Sequence, residues 1–154
     1  MSTTNKVSIQ DVKELREKTG AAVMDCRNAL NKAEGDFKKA KAILKKQGLA
    51  RAEKKKGREI KAGKVISYIH GDGKVGVLVT LGCETDFVAK TEDFTKLAHE
   101  LCLQVAGMNP KDIKVLLGQE YIRNPKIKIE DLIKETVGKL GENIKIEEFA
   151  RLEI

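Results

Sequence analysis

The residues best suited to chemistry beyond ordinary packing lie between Gly82 and Phe94, in the stretch G-C-E-T-D-F-V-A-K-T-E-D-F. Asp86 and Phe87 are adjacent here, although the chain contains only four phenylalanines. A carboxylate accepts hydrogen bonds, and a phenyl ring fills apolar gaps. Thr85 could cap a helical turn, with Asp86 at its positive end and Phe87 in the core. Alternatively, the ring is exposed and contacts a partner; spacing alone favours the core position.

The histidines and cysteines give weaker candidates for a catalytic or metal site. His99 and Cys102 lie three residues apart on one predicted helix, but a single pair leaves the other metal ligands unassigned. A half-buried thiol and a surface histidine fit this spacing better. Nothing in the sequence brings Cys83 close to His70 or His99 as a thiol catalyst would require. The phosphate loop, G-x-G-x-x-G, H-E-x-x-H and C-x-x-C motifs are absent, so we expect a protein with no metal, no cofactor and no covalent catalysis.

Composition indicates an acidic partner without identifying it. The chain has 154 residues, 41% of them hydrophobic, which suffices for one domain or two small ones. Its net charge of +7 favours RNA, DNA or an acidic protein surface. Charged residues of both signs make up 34%, so the excess by itself is weak support for nucleic acid. The run K-K-K-G-R has no interleaved aromatic residues for base stacking, and a solvated linker explains it better. A basic RNA-associated or ribosome-associated protein remains the alternative function.

The cysteines and the hydropathy pattern bear on location. Three widely spaced cysteines argue against a disulfide framework and for a reducing compartment. No apolar run approaches the roughly 18 residues of a membrane span, and the N-terminus lacks the apolar region of a secretory signal. We therefore expect a cytoplasmic protein.

The first fifty residues predict three short helices that form one module, residues 1–50. Ser8 with Asp11 predicts the first helix start, and Thr19-Gly20 predicts its end. Gly48 is predicted to end the third helix. Residues 51–62 are strongly basic and predict an exposed connector. Helical spacing predicts that the following side chains face inward: Ile9, Val12, Leu15, Val23, Cys26, Leu30, Ala33, Phe37, Ala40 and Leu44.

Residues 63–154 predict an α+β domain. K-V-I-S-Y-I-H, G-D-G-K and V-G-V-L-V-T-L-G-C predict a β-hairpin whose second strand is apolar enough to be covered on both faces. Thr91 predicts the start of an amphipathic helix, and a further helix precedes a C-terminal strand that joins the hairpin. Order within residues 110–128 is not evident from the pattern. The fold class is therefore α+β, with three N-terminal helices and a small antiparallel sheet packed with helices. The stripe of the amphipathic helix comprises Phe94, Leu97, Ala98, Leu101 and Val105.

Two segments resemble hallmarks of one family. T-D-F-V-A-K, preceded by C-E, resembles the signature of the elongation factor Ts family, the guanine-nucleotide exchange factors of bacterial translation. The run from Val12 to Leu30, V-K-E-L-R-E-K-T-G-A-A-V-M-D-C-R-N-A-L, resembles the family's other hallmark. L-L-G-Q-E-Y-I-R-N-P also resembles a family segment, with Glu120 where we expect proline. The resemblance extends from Ile9 to the last strand.

The resemblance implies a fold, a partner and a mechanism. The fold is a module like a ubiquitin-associated (UBA) domain followed by an α+β core. The partner is elongation factor Tu in its GDP-bound form, from which the T-D-F-V segment dislodges Mg²⁺ so that GDP leaves and GTP can bind. That role falls on Thr85, Asp86, Phe87 and Val88. Neither nucleic acid nor a membrane is required.

The resemblance also implies a second contact and an assembly. In the family the N-terminal module binds the nucleotide domain of the GTPase, and Arg16, Val23, Met24 and Arg27 are the candidates here. Val23 also belongs to the predicted inward stripe, so Met24 is the stronger candidate. The chain resembles the short family form with a single half-core, which leaves a sheet edge or face exposed. A second copy would cover it, so we expect a homodimer.

Overall fold

A computed structural model describes residues 7–154 and divides the chain into two compact units, one up to Ala50 and one from Arg51 onward. Helices and antiparallel sheets together confirm the predicted α+β class. None of the helices within the described residues is long and apolar enough to cross a membrane. The helices and strands are α1 (Ile9–Thr19), α2 (Val23–Lys32), α3 (Phe37–Lys55), β1 (Ala62–His70), β2 (Val75–Cys83), α4 (Asp86–Ala89), α5 (Glu92–Met108), α6 (Ile113–Gly118), β3 (Glu120–Tyr121), β4 (Asn124–Lys128), α7 (Ile129–Leu140) and β5 (Ile144–Glu153).

The first unit is a three-helix, UBA-like module with capped ends. The amide of Asp11 donates to the Ser8 hydroxyl at 3.1 Å, and the Ser8 amide donates to the Asp11 carboxylate at 3.0 Å, which confirms the predicted start of α1. The Gly20 backbone is left-handed, with φ 67°, and ends α1 as predicted. The buried core comprises Val12, Leu15, Cys26, Ala29, Leu30, Ala33, Ala40 and Leu44.

Three expectations for these helices were wrong. Ile9 and Val23 are exposed, at 80% and 47%, because each is the first residue of its helix and lies ahead of the turns that pack. Gly48 does not end α3, which continues to Lys55. The continuation is stabilised beyond Gly48 because Ala52 is buried in the core of the second unit.

The second unit is built on a three-stranded antiparallel sheet in the order β1-β2-β5. The predicted hairpin is confirmed, with Val65 opposite Thr80 and His70 opposite Val75. The C-terminal strand joins the hairpin as predicted, along β2. Helix α5 begins at the Thr91 cap and packs on β1 and β2, and all five residues of its predicted stripe are buried.

Strand β2 is covered on one face only along most of its length, contrary to prediction, and its second face is buried only at Gly82. Val77, Val79 and Leu81 are buried in the core, whereas Leu78 points to the opposite face and is 49% exposed. Because side chains alternate along a strand, α5 can cover only one of these two sets. Leu78 is therefore an apolar side chain that the packing inside this chain leaves half exposed.

The segment between α5 and α7 forms a short helix and a small hairpin anchored by buried polar groups. The fully buried Gln104 side chain donates to the backbone oxygen of Glu120 at 3.0 Å and accepts from the Ile122 amide at 3.1 Å. The Tyr121 hydroxyl donates to Glu100 at 2.7 Å. The sequence pattern misses this hairpin because its strands are short, β3 having two residues and β4 five, and because its anchors are buried polar groups of α5 that are distant in sequence.

The packing of α5 on the sheet predicts a large cost for truncating Phe94, whose side chain is fully buried. Phe94→Ala should lower the free energy of unfolding by about 3–5 kcal/mol, because it leaves a cavity under the sheet. Urea denaturation followed by circular dichroism measures this. Phe87→Ala is the matched control, since the exposed Phe87 should change stability by no more than about 0.5 kcal/mol. Equal losses for the two variants would contradict this packing.

Candidate partner-binding site

The T-D-F-V segment, residues 85–88, forms the start of α4, a single turn between β2 and α5. Thr85 is extended and caps the turn, and its hydroxyl accepts a hydrogen bond from the Val88 amide at 3.3 Å. Asp86 lies in the first turn, where the helix dipole favours a negative charge. The predicted cap is therefore present.

Phe87 points away from the core of its own chain. The side chains of Val88 and Ala89 are buried, whereas Phe87 is 83% exposed. Successive residues of a helix are separated by about 100°, so a single turn that buries Val88 and Ala89 directs Phe87 outward. The core interpretation of Phe87 was wrong, and the ring and the Asp86 carboxylate are both accessible.

Several hydrogen bonds hold this segment in place. The Thr91 hydroxyl donates to the backbone oxygen of Val88 at 2.7 Å, and the Cys83 thiol donates to that of Thr85 at 3.1 Å. The Glu142 carboxylate accepts from the Thr85 amide at 2.9 Å and from its hydroxyl at 2.8 Å. Glu142 was not among the residues predicted from sequence.

The position of Glu142 follows from the sheet topology. Ile144, at the start of β5, pairs with Cys83, at the end of β2, so the turn before β5 lies beside the start of the T-D-F-V segment. The C-terminal strand was predicted from sequence, but its register was not. With that register, the carboxylate two residues before β5 becomes the natural candidate to meet Thr85.

The N-terminal candidates lie in the first unit. Arg16 is exposed on α1, and Val23, Met24 and Arg27 are exposed on α2. Met24 is 58% exposed, as expected for a residue outside the buried stripe. These four side chains are therefore accessible to a partner, two of them apolar and two basic.

The cysteines are buried thiols. Cys102 donates to the backbone oxygen of Ile66 at 3.6 Å, and burial raises its pKa to about 11. Burial also raises the pKa of Cys83, and the nearby carboxylates of Glu142 and Asp86 add to this effect. Within residues 7–154 no three His, Cys, Asp or Glu side chains are grouped closely enough to hold a metal ion.

Both histidines contact Tyr68. The Tyr68 hydroxyl and His70 Nδ1 are 2.9 Å apart, and the ring centroids of Tyr68 and His99 are 5.8 Å apart at a near-perpendicular angle. Neither contact involves a cysteine. These contacts of the histidines therefore give no support to a histidine–cysteine site, which the sequence had not favoured either.

An exposed ring beside a carboxylate, on a turn anchored from three directions, can act by binding. The ring offers apolar area and the carboxylate offers charge, while Val88 and the hydrogen bonds fix their direction. These features make the anchored turn a candidate surface for binding a partner, and the class of protein that presents such a surface is a binding protein.

Comparison with known proteins identifies the family. The profile described as "Elongation factor TS" matches residues 84–154, which begin just before the T-D-F-V segment. Relatives named Elongation factor Ts match along nearly the whole chain. That of Caldanaerobacter subterraneus subsp. tengcongensis is 43% identical, with 96% of this chain and 96% of the relative covered. That of Fervidobacterium nodosum is 39% identical, covering 97% of this chain and 98% of the relative. The chain belongs to the elongation factor Ts family and is a translation elongation factor.

The buried thiols generate a prediction about cysteine reactivity. Because the thiolate is the reactive form, raised pKa values leave Cys83 and Cys102 almost entirely protonated at pH 8. Native protein at pH 8 should therefore resist alkylation by iodoacetamide at both residues, and the reactivity of Cys102 should rise only as the pH approaches 11. Peptide mass spectrometry measures this, with urea-unfolded protein as the fully reactive control. Rapid native labelling of Cys83 or Cys102 at pH 8 would revive the thiol-enzyme hypothesis.

Proposed function

We propose that this chain binds elongation factor Tu in its GDP-bound form, displaces Mg²⁺ from the nucleotide site and so promotes GDP release. The observation that carries the proposal is the exposure of Phe87 on a braced turn, beside the accessible Asp86 carboxylate. Membership of the family supplies the identity of the partner. The protein would act where translation occurs, in the cytoplasm.

We propose different tasks for the residues of the T-D-F-V segment. Phe87 and Asp86 are the parts that reach the partner. Thr85 caps the turn, and Val88 anchors it, since the Val88 side chain is buried in this chain. We therefore propose that Val88 affects nucleotide exchange by fixing the position of Phe87 and does not itself contact the partner.

Insertion of Phe87 near the metal would lower the affinity of the partner for GDP. Magnesium bridges the phosphates and requires near-ideal octahedral geometry, so small shifts of its ligands weaken it. Loss of the metal leaves the phosphate charge uncompensated and speeds nucleotide release. The coupling is reciprocal, because a nucleotide that binds tightly must in turn weaken binding of this protein. The cycle therefore requires no covalent step.

The N-terminal module would supply a second contact, to the nucleotide domain of the GTPase. Met24 is the proposed anchor, because a flexible, exposed apolar side chain adapts to a partner surface. Val23, Arg16 and Arg27 flank it. This contact would add affinity, whereas the T-D-F-V segment would change the partner's nucleotide site.

We further propose a homodimer formed through the open face of the sheet. Three cross-strand rows lie on this face, each with one residue from β1, β2 and β5. Leu78 lies at the centre, between Ser67 and Ala150. The other rows are Ile69, Gly76 and Leu152, and Val65, Thr80 and Glu148.

The composition of this face fits a second copy of the same surface. Val65, Ile69 and Leu152 are exposed by more than half, and Leu78 by about half, yet only Glu148 in the three rows is charged. A two-fold axis pairs this face with the same face of the second copy, so three rows that carry one charge per chain avoid most repulsion. Two such faces can pack as stacked sheets, which would cover the second face of β2.

The proposed exchange function predicts that the rate of GDP release from the partner depends strongly on Phe87. Release of labelled GDP from elongation factor Tu should accelerate in the presence of this protein, and Phe87→Ala should lower the accelerated rate about thirtyfold because the ring carries the insertion. Stopped-flow fluorescence measures the release.

Met108→Ala is the matched control for this experiment, since Met108 is exposed at the end of α5, away from the T-D-F-V segment. It should retain the wild-type rate. If the wild-type protein leaves GDP release unchanged but binds RNA through Lys54, Lys55 and Lys56, the RNA-associated alternative is correct.

The open face predicts that one charge at its centre prevents dimerisation. Leu78→Lys should shift the protein from the mass of two chains to that of one at micromolar concentration, because two lysines would meet near the symmetry axis. Size-exclusion chromatography with light scattering measures this. Val115→Lys, at an exposed apolar site on α6, is the control and should leave the assembly intact. A monomeric wild-type protein would refute the dimer.

A further inference from the structure

We propose that Glu142, in the G-E-N turn (residues 141–143) between α7 and β5, is a positioning residue that sets the direction of Phe87. The inference rests on the proposed exchange function, because it names how this chain keeps its T-D-F-V segment ready for a partner. All the residues involved lie in the unit that begins at Arg51.

Glu142 satisfies both hydrogen-bond donors of Thr85 with one carboxylate. Oε1 accepts from the Thr85 amide at 2.9 Å, and Oε2 accepts from the Thr85 hydroxyl at 2.8 Å. Because the hydroxyl proton is directed to Glu142, the oxygen lone pairs of Thr85 are left facing the Val88 amide. Glu142 therefore determines the rotamer in which Thr85 caps α4.

The effect of this cap reaches Phe87 because α4 is a single turn. An isolated turn is unstable in water, so its geometry depends on its anchors. Val88 and Ala89 anchor its buried side, and Thr91 holds its end through the backbone oxygen of Val88. Glu142 holds its beginning. Without that hold, the Thr85 amide and hydroxyl lose their acceptor, and Thr85 is bonded mainly through its backbone oxygen, which accepts from the Cys83 thiol and the Ala89 amide. The start of α4 then gains freedom to move, and the Phe87 side chain moves with it.

The G-E-N turn is itself fixed on both sides of Glu142. Gly141 has a left-handed backbone, with φ 80°, and its amide donates to the Val137 oxygen at 2.8 Å. On the other side, the Asn143 amide donates to the Glu84 carboxylate at 2.9 Å. The carboxylate that holds Thr85 thus projects from a turn that cannot easily move.

Asn143 links this turn to the basic segment, residues 51–62, which includes the end of α3. Its side-chain amide donates to the backbone oxygens of Arg58, at 2.8 Å, and Lys56, at 3.3 Å. The Lys55 ammonium donates to the Gly141 oxygen at 2.7 Å. This basic segment, predicted as an exposed connector, therefore helps to hold the turn that holds the T-D-F-V segment.

The test compares Glu142→Ala with the wild-type protein in GDP release from elongation factor Tu, titrated with the full-length chain. The maximal accelerated rate should fall about tenfold, as expected for loss of orientation. The half-saturating concentration should change much less, because the other contacts with the GTPase remain. Glu142→Gln, which keeps one acceptor oxygen, should recover part of the rate.

A double variant and a control separate positioning from charge. Thr85→Ala combined with Glu142→Ala should be no worse than the more damaging single change, because both remove the same interaction. Glu120→Ala removes an equal charge from β3, away from the segment, and should behave as wild type. A wild-type maximal rate in Glu142→Ala would overturn the proposal.

Amide hydrogen exchange tests, in the absence of the partner, whether the bonds from Thr85 to Glu142 (the brace) hold the start of α4. In Glu142→Ala the Thr85 and Val88 amides should exchange faster, while those of Leu101 and Val105 in α5 stay protected. Unchanged protection at Thr85 and Val88 would overturn the proposal even if exchange activity fell. If the wild-type protein fails to accelerate GDP release while these amides respond as expected, the proposed function fails and the brace stands.

Discussion

The structure depends on one constraint: a single helical turn must connect two buried elements. Cys83 ends β2 in the core, and the fully buried Phe94 lies in the first turn of α5. The intervening turn has only one side to bury, and Val88 and Ala89 occupy it. Phe87 is consequently directed to solvent by the same packing that stabilises the sheet. Its exposure is a consequence of the fold and does not require flexibility.

An exposed ring of this kind keeps hydrophobic free energy available for a partner. Burial of a phenylalanine side chain stabilises by about 1.5–3 kcal/mol, and here that contribution is absent from folding. It would be gained when the ring enters an apolar gap in the GTPase. Because the turn is already held in place, little of that gain is lost to ordering the segment. Binding free energy can then oppose the partner's hold on its metal and nucleotide.

The sequence predicts well the elements whose patterns are local. The stripe of α5, the Ser8 and Thr91 caps and the G-D-G-K turn are all present, because caps and periodicity depend on neighbouring residues. The end of α3 was wrongly predicted at Gly48. Ala52, further along the chain, is buried in the core of the second unit, and this burial stabilises the helix beyond Gly48. The second face of β2 was misjudged because apolar composition alone does not show whether another element of the chain reaches that face.

The site was only partly predictable for the same reason. The T-D-F-V segment is recognisable from sequence. The direction of the Phe87 side chain, however, depends on the burial of its neighbours Val88 and Ala89 by the tertiary packing. Glu142 lies 57 positions from Thr85, and only the register of β5 against β2 brings the two together. Long-range register follows from packing of the whole sheet and cannot be obtained from local patterns.

The most direct measurement of the central claim compares wild-type protein and Phe87→Ala in GDP release from elongation factor Tu, with saturating Mg²⁺ and with Mg²⁺ chelated. If Phe87 acts by displacing the metal, the wild-type protein should be much faster than the variant in Mg²⁺. The two should converge once the metal has been removed by chelation. An equal advantage of the wild-type protein under both conditions would show that the ring acts elsewhere, and would contradict the account.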